Sequence, residues 1–90
     1  MKGGMALNRL GFIVLSILER AGATSKPSAM TVREIVDAED FGVKGNTVFK
    51  KLKDFEGCGY IGRGLKEGRA STFFITPDGS RVLEEERGKA

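Results

Sequence analysis

The sequence predicts an α+β fold with a three-helix core, a two-stranded β-hairpin and a short C-terminal helix. Apolar residues recur at helical spacing in two segments, and a capping box opens another helix between them. Two later runs, rich in β-branched and aromatic residues, flank a glycine-containing turn. The 90 residues suffice for one modest core, so we assign residues 1–90 to a single domain.

The first helix is predicted over about residues 8–21, because apolar residues fall at helical spacing and Gly22 follows them. The residues on this face are Leu7, Leu10, Ile13, Val14, Ile17, Leu18 and Ala21. Phe12 and Leu15 lie off the face, so the helix is apolar around more of its circumference than one contact requires. We favour burial at the centre of the domain over a contact between subunits.

The second helix is predicted over about residues 32–39, where Thr31 and Glu34 have the spacing of a capping box. Met30 and Ile35 occupy the positions of a hydrophobic staple across the same helix start.

A third helix is expected over about residues 46–56, with Asn46 as its N-cap, because glycines at 42 and 45 end the second helix. Two short helices joined by a glycine-containing turn outline a helix-turn-helix.

The hairpin is predicted over about residues 60–76, with the strands "YIGRGL" and "STFFIT" joined through "KEGRA". Gly68 suits the turn, and Phe73 and Ile75 point to one side of the sheet while Phe74 points to the other. Pro77 ends the second strand, and a final helix is predicted over about residues 78–87.

The string "GCGYIG", residues 57–62, matches the G-x-G-x-x-G fingerprint of dinucleotide-binding turns. That motif needs a strand before it and a helix after it, whereas here a helix precedes and a strand follows. We therefore predict no cofactor, and assign Gly57 and Gly59 to the end of the third helix.

The residue content argues against an enzyme. The chain has no histidine and one cysteine, which excludes a Cys/His metal cluster and the Ser-His-Asp and Cys-His pairs. We predict no catalytic residue and no metal ligand, and expect Cys58 to be a buried, inert thiol. The apolar run at 12–18 is far shorter than the roughly 20 residues of a membrane span, so a cytoplasmic protein is predicted.

Positive charge is concentrated in the third helix and the hairpin. Residues 44–69 contain seven basic and three acidic residues, a net charge of +4, whereas the rest contains eight basic and nine acidic residues, a net charge of −1. Such asymmetry is typical of a phosphate-binding surface.

Three strings, "NTVFKKLKDFEGCGYI", the charged hairpin and "FFITPDGSRVLEE", resemble the winged helix-turn-helix domains of bacterial and archaeal transcription regulators of the MarR and PadR type. In that family a recognition helix ends in a glycine turn into the hairpin, called the wing, whose second strand ends in a Leu-Thr-Pro-x-Gly-like segment. Residues 75–79 match this segment. The resemblance is clearest over residues 30–86 and implies a regulator that binds double-stranded DNA. The long terminal helices with which those regulators dimerise have no counterpart in this sequence.

Helical geometry separates the third helix into two faces, with Val48, Leu52 and Phe55 on one side. The predicted DNA-contacting residues are Asn46, Thr47 and Lys50 for base edges, Lys51 and Lys53 for the backbone, Arg63, Lys66 and Arg69 of the wing for phosphate or the minor groove, and Lys44 without a more specific role. Simpler roles stay open, because lysines often form a solvated face, Asn46 can act only as a cap, and basic residues protect hairpin edges.

The sequence thus predicts sequence-specific double-stranded DNA binding by a small transcriptional regulator. The alternative is a winged-helix protein-interaction module within a larger assembly. We also expect a homodimer through the N-terminal region, formed by Phe12 and Leu15 with Leu7 and Met5 beside them. In the competing arrangement, Phe12 and Leu15 pack under the hairpin and the chain is a monomer.

Overall fold

The computed structural model describes residues 8–39 and 42–88. Its helices are α1 (Arg9–Arg20), α2 (Val32–Ala38), α3 (Gly45–Cys58) and α4 (Pro77–Gly88), and its strands are β1 (Met30–Thr31), β2 (Ile61–Arg63) and β3 (Thr72–Ile75). A short 3₁₀ helix, Lys26–Ser28, precedes β1. The four helices and the antiparallel sheet confirm the predicted α+β winged-helix fold.

The sheet has three strands in the order β1-β3-β2, where the sequence predicted only two. The extra strand pairs Met30 with Phe73 and Thr31 with Thr72. Two residues are too few to show the alternation that identifies a strand, and their partners lie about 40 residues away in the sequence. The predicted hairpin pairs β2 with β3 in the register Ile61–Ile75.

Helix α1 lies at the centre of the domain and contacts α2, α3, α4 and β3. Val14, Leu15, Ile17 and Leu18 are buried, so the preference for central burial is confirmed. Leu15 was expected off the buried face but is fully buried, because the surrounding elements cover more than one side of the helix. Met5 and Leu7 lie outside the described residues.

The capping box of α2 is confirmed by two reciprocal hydrogen bonds. The Glu34 amide donates to Thr31 Oγ1 over 3.1 Å, and the Thr31 amide donates to Glu34 Oε1 over 2.9 Å. Since Thr31 is also in β1, this single residue joins the sheet to the start of α2.

Helix α3 begins before the predicted cap. Lys44 is the N-cap, without a side-chain hydrogen bond, and Asn46 is the second helical residue, so the prediction of Asn46 as cap is wrong. The capping preference of Asn is worth only about 1 kcal/mol, and such a local term does not outweigh the packing that places the helix start. Gly45 is already helical and lies beside Val32 of α2.

Helix α3 ends at the glycines that the sequence analysis assigned to its end. Cys58 is the last helical residue, and Gly59 caps the helix with φ of +83° in the left-handed region that favours glycine. Gly57 is still helical. Cys58 is exposed, contrary to expectation, because it lies in the last turn, beyond the core-facing row that ends at Phe55.

The Thr76 hydroxyl connects the end of α3 to the start of α4. It accepts a hydrogen bond from the Gly79 amide at 3.1 Å and donates to the Gly59 carbonyl at 2.6 Å. Pro77 follows as the first helical residue, where its missing amide hydrogen costs nothing. At the other end of α4, Arg87 donates to Glu19 of α1 at 2.8 Å, and this hydrogen bond raises the pKa of Arg87 above its usual range.

Replacing Leu52 by alanine is expected to lower the free energy of unfolding by about 2–5 kcal/mol, because the substitution leaves a cavity in the core. Urea denaturation followed by circular dichroism measures this change. Leu65→Ala is the matched control, since that side chain is 62% exposed and its truncation should change stability little. Equal effects of the two substitutions would contradict the placement of Leu52 in the core.

Candidate nucleic-acid interface

The exposed side of α3 carries a row of polar and basic side chains. Asn46, Lys50 and Lys53 are exposed and follow one another at spacings of four and three residues, so they form one stripe along the helix. The core face, formed by Val48, Leu52 and Phe55, is buried as predicted. The two faces therefore separate as the helical spacing indicated.

The remaining basic and polar residues of α3 flank this stripe. Thr47 is exposed in the first turn and Lys44 is exposed at the N-cap. Lys51 is partly buried, and its Nζ lies 5.7 Å from the centre of the Phe55 ring. Lys51 is thus closer to the core than Lys50 or Lys53, with its ammonium over an aromatic face.

The outer part of the wing, residues 64–71, extends from β2 and β3 and ends in a tight turn. Glu67 and Ala70 exchange two backbone hydrogen bonds of 3.0 Å, and Gly68 has φ of +64° between them, as its turn role predicts. Lys66 and Arg69 are exposed at this tip. Two of the three basic wing residues predicted to contact DNA therefore lie at its tip.

Arg63 occupies a different position, at the base of the wing. Its Nε lies 3.1 Å from Glu56 Oε2 of α3, and its Nη1 donates to Ser71 Oγ at 3.1 Å. Its guanidinium also lies 4.9 Å from the centre of the Phe73 ring. These contacts connect α3, β2 and β3 through one side chain, so Arg63 bridges the third helix and the base of the wing.

A cleft of about 530 Å³ separates the wing from α2 and α3. Phe49 is exposed in its floor and lies on the buried Phe73, with the two rings edge to face and their centres 6.3 Å apart. Arg33 of α2 lines one side, and Glu67 and Arg69 of the wing line the other.

Arg33 was not among the DNA-contacting residues predicted from the sequence. Arg33 precedes the basic segment 44–69, so counting charge along the chain assigned it to the acidic remainder. Only the pairing of β1 with β3 brings the start of α2 beside the wing. The capping box was the available sequence signal, because it fixes where α2 begins and Arg33 is the second residue of that helix.

Comparisons with known proteins support the winged-helix fold of the domain that carries this surface. No family model matches the chain. The DNA-binding protein TubR of Clostridium botulinum C phage is 28% identical over 80 residues, which cover 89% of this chain and 96% of that protein. The solution structure of a DNA-binding TubR fragment from Clostridium botulinum has a TM-score of 0.70 and 27% identity, over 90% of this chain and 98% of the fragment.

A MarR-family transcriptional regulator from Rhodococcus has a TM-score of 0.73 and 17% identity. The match covers 91% of this chain and 54% of the regulator, so the chain spans about half the length of that protein. The class of protein suggested by the sequence motifs is thereby confirmed at the level of the fold: the chain is a winged-helix domain similar to TubR and to the corresponding part of MarR regulators. None of the helices in residues 8–39 and 42–88 has the length and apolar character needed to cross a membrane.

The contacts of Arg63 predict that it contributes more to stability than Arg69. Arg63→Ala should lower the free energy of unfolding by about 1–2 kcal/mol, because it removes a partly exposed ion pair and a cation–π contact. Arg69→Ala, at the exposed tip, should cost less than about 0.5 kcal/mol. Chemical denaturation of both variants measures the difference, and equal stabilities would contradict the role assigned to Arg63.

Proposed function

We propose that this protein is a small transcriptional regulator that binds double-stranded DNA in a sequence-specific manner. The observation that carries the proposal is that two basic elements lie side by side. Helix α3 and the wing face each other across one cleft, and each has exposed basic residues. The named relative and the TubR fragment, both described as DNA-binding, support it. This function needs no catalytic residue or cofactor. A cytoplasmic location is part of the same proposal.

The helix α3 enters the major groove and reads bases from its first turns. Asn46, Thr47 and Lys50 lie there on the exposed side, and Asn can pair with adenine while Lys binds guanine. Lys44, at the N-cap, and Lys51 and Lys53, further along the helix, neutralise phosphates.

The wing lies along the backbone through Lys66 and Arg69. Among the ion pairs between described residues, none involves Lys50, Lys53 or Arg69, so these charges remain available to phosphate. Arg63 is engaged by Glu56 and bridges α3 and the base of the wing. DNA contact by Arg63 is therefore secondary in this proposal.

A protein-interaction module is the second candidate, favoured by the exposure of Leu65 on the wing. Salt distinguishes the two functions. Binding to DNA weakens with a slope of about −0.9 in log affinity against log salt for each phosphate neutralised. Binding through an apolar surface lacks this dependence. A gel shift with duplex DNA flanking the protein's own gene, against random duplex of equal length, is the direct test, and absence of binding to either duplex would overturn the proposal.

Replacing Lys50 or Asn46 by alanine should reduce discrimination between the specific and random duplexes by about 1–3 kcal/mol, because each variant loses a contact to a base edge. Lys53→Ala is the control, since loss of a phosphate contact weakens both duplexes equally. Fluorescence anisotropy titrations measure the affinities. Equal losses on both duplexes for Lys50→Ala or Asn46→Ala would reassign those residues to the backbone.

The regulator is further proposed to act as a homodimer, because one winged helix covers a short site and two copies read half-sites about one helical turn apart. A groove of about 310 Å³ beside α1 contains Phe12 and Ile13 and is bordered by Arg20, Glu39 and Arg87. An apolar centre with charges of both signs at its edge can pair with its own copy across a two-fold axis. Leu15 is buried within the monomer and makes no such contact.

Analytical ultracentrifugation tests the dimer. The wild type should sediment as a dimer at micromolar concentration and Phe12→Ser as a folded monomer, because a hydroxyl replaces the apolar ring at the contact. Leu65→Ser is the control and should stay dimeric, since Leu65 lies on the wing. A monomeric wild type, or a Phe12→Ser variant that remains dimeric, would contradict this interface.

A further inference from the structure

The cleft between the wing and α3 has an arginine on each side and an aromatic floor. Arg33 of α2 and Arg69 of the wing line opposite sides, and the exposed ring of Phe49 lies between them, supported from below by the buried ring of Phe73. Glu67 also lines the wing side, so the two arginines leave the cleft with a net positive charge. Charge and apolar surface therefore alternate across the cleft.

Phe49 is held in place despite its exposure. Its side chain is 40% exposed, although Phe73 below it is fully buried. Phe73 is itself fixed by the guanidinium of Arg63, 4.9 Å from its centre, and by strand pairing on both sides. The Phe49 ring packs edge to face against this fixed ring and presents apolar surface to the cleft.

Arg33 is available for a ligand. Its side chain is 91% exposed, and its ion pair with Asp37 spans 3.8 Å on the surface of α2. An exposed pair of this kind is weak, so a phosphate can replace the carboxylate at little cost. Guanidinium groups bind phosphate through two parallel hydrogen bonds, which suits arginine to this position.

We propose that one sugar–phosphate strand of duplex DNA lies in this cleft, with Arg33 and Arg69 binding phosphates from opposite sides and the Phe49 ring packing against the deoxyribose between them. The inference rests on the proposed DNA-binding function. Arg33 and Arg69 supply positive charge for phosphates on the two sides of the cleft, and the exposed Phe49 ring supplies apolar surface for a deoxyribose. When α3 occupies the major groove, the DNA strand that borders this groove on the wing side passes between α3 and the wing. The cleft lies at this position.

Arg33→Gln tests the phosphate contact, with Arg81→Gln as the matched control. Arg81 lies on α4, is 70% exposed and forms a similar short-range pair with Asp78 at 3.6 Å. Affinity is measured against salt for the duplex retarded in the gel shift and for random duplex. Arg33→Gln should weaken both duplexes by the same factor and reduce the salt slope by about 0.9, the value for one phosphate contact. Arg81→Gln should leave affinity and slope unchanged.

Methylphosphonate substitution, which removes the charge of one phosphate at a time, identifies the phosphate involved. In the wild type, neutralising the phosphate bound by Arg33 should weaken binding, whereas the Arg33→Gln variant should be insensitive at that position alone. A variant that keeps the sensitivity of the wild type at every phosphate would overturn the assignment of Arg33.

Phe49→Leu tests the sugar contact, because leucine keeps apolar packing on Phe73 and loses the flat ring. Thermal unfolding establishes that the variant is folded. It should bind both duplexes more weakly by the same factor with an unchanged salt slope. A loss confined to the specific duplex would assign Phe49 to a base, and unchanged binding would remove it from the interface; either result overturns the sugar contact.

If the wild type binds neither duplex, the proposed function itself fails. If the wild type binds DNA and the Arg33 and Phe49 variants bind it equally well, only this inference is overturned.

Discussion

The buried ring of Phe73 is the contact on which the geometry of the proposed interface depends. It lies in the central strand, between β1 and β2, so it is fixed by backbone pairing on both sides. The Phe49 ring of α3 packs against it edge to face, and the Arg63 guanidinium of β2 lies 4.9 Å from its ring centre. The helix and the wing are thus both oriented against one side chain, and a change in its position would move them relative to each other.

Surface charges contribute to this arrangement in two different ways. Arg20–Glu39 at 2.6 Å and Arg87–Glu19 at 2.8 Å join α1 to the end of α2 and to α4, but ion pairs near the surface contribute little to stability because water screens them. The stability of the domain therefore comes mainly from the core around α1. Because the core does not depend on Lys50 or Lys53 of α3, their side chains can stay exposed and charged.

Local patterns in the sequence predicted most of the fold. The capping box at Thr31, the left-handed turn at Gly68 and the buried row of α3 each depend on residues close together in the chain, and each is present in the structure. Strand β1 was missed because its pairing with β3 is non-local, and Asn46 was misplaced because a helix start responds to packing as well as to capping. The same limit applies to the site. The spacing along α3 predicted which of its residues are exposed, whereas the engagement of Arg63 by Glu56 and the approach of Arg33 to the wing depend on tertiary contacts.

The Thr76 hydroxyl has a consequence for the dynamics of the domain. One oxygen satisfies the Gly59 carbonyl beyond α3 and the Gly79 amide in the first turn of α4, so the two helix ends share a single hydrogen-bonding group. If the first turn of α4 frays, the hydroxyl becomes free to rotate and the end of α3 loses its partner as well. Local opening at either helix end is therefore coupled to the other, and amide hydrogens in the last turn of α3 and the first turn of α4 should exchange with solvent as one cooperative unit.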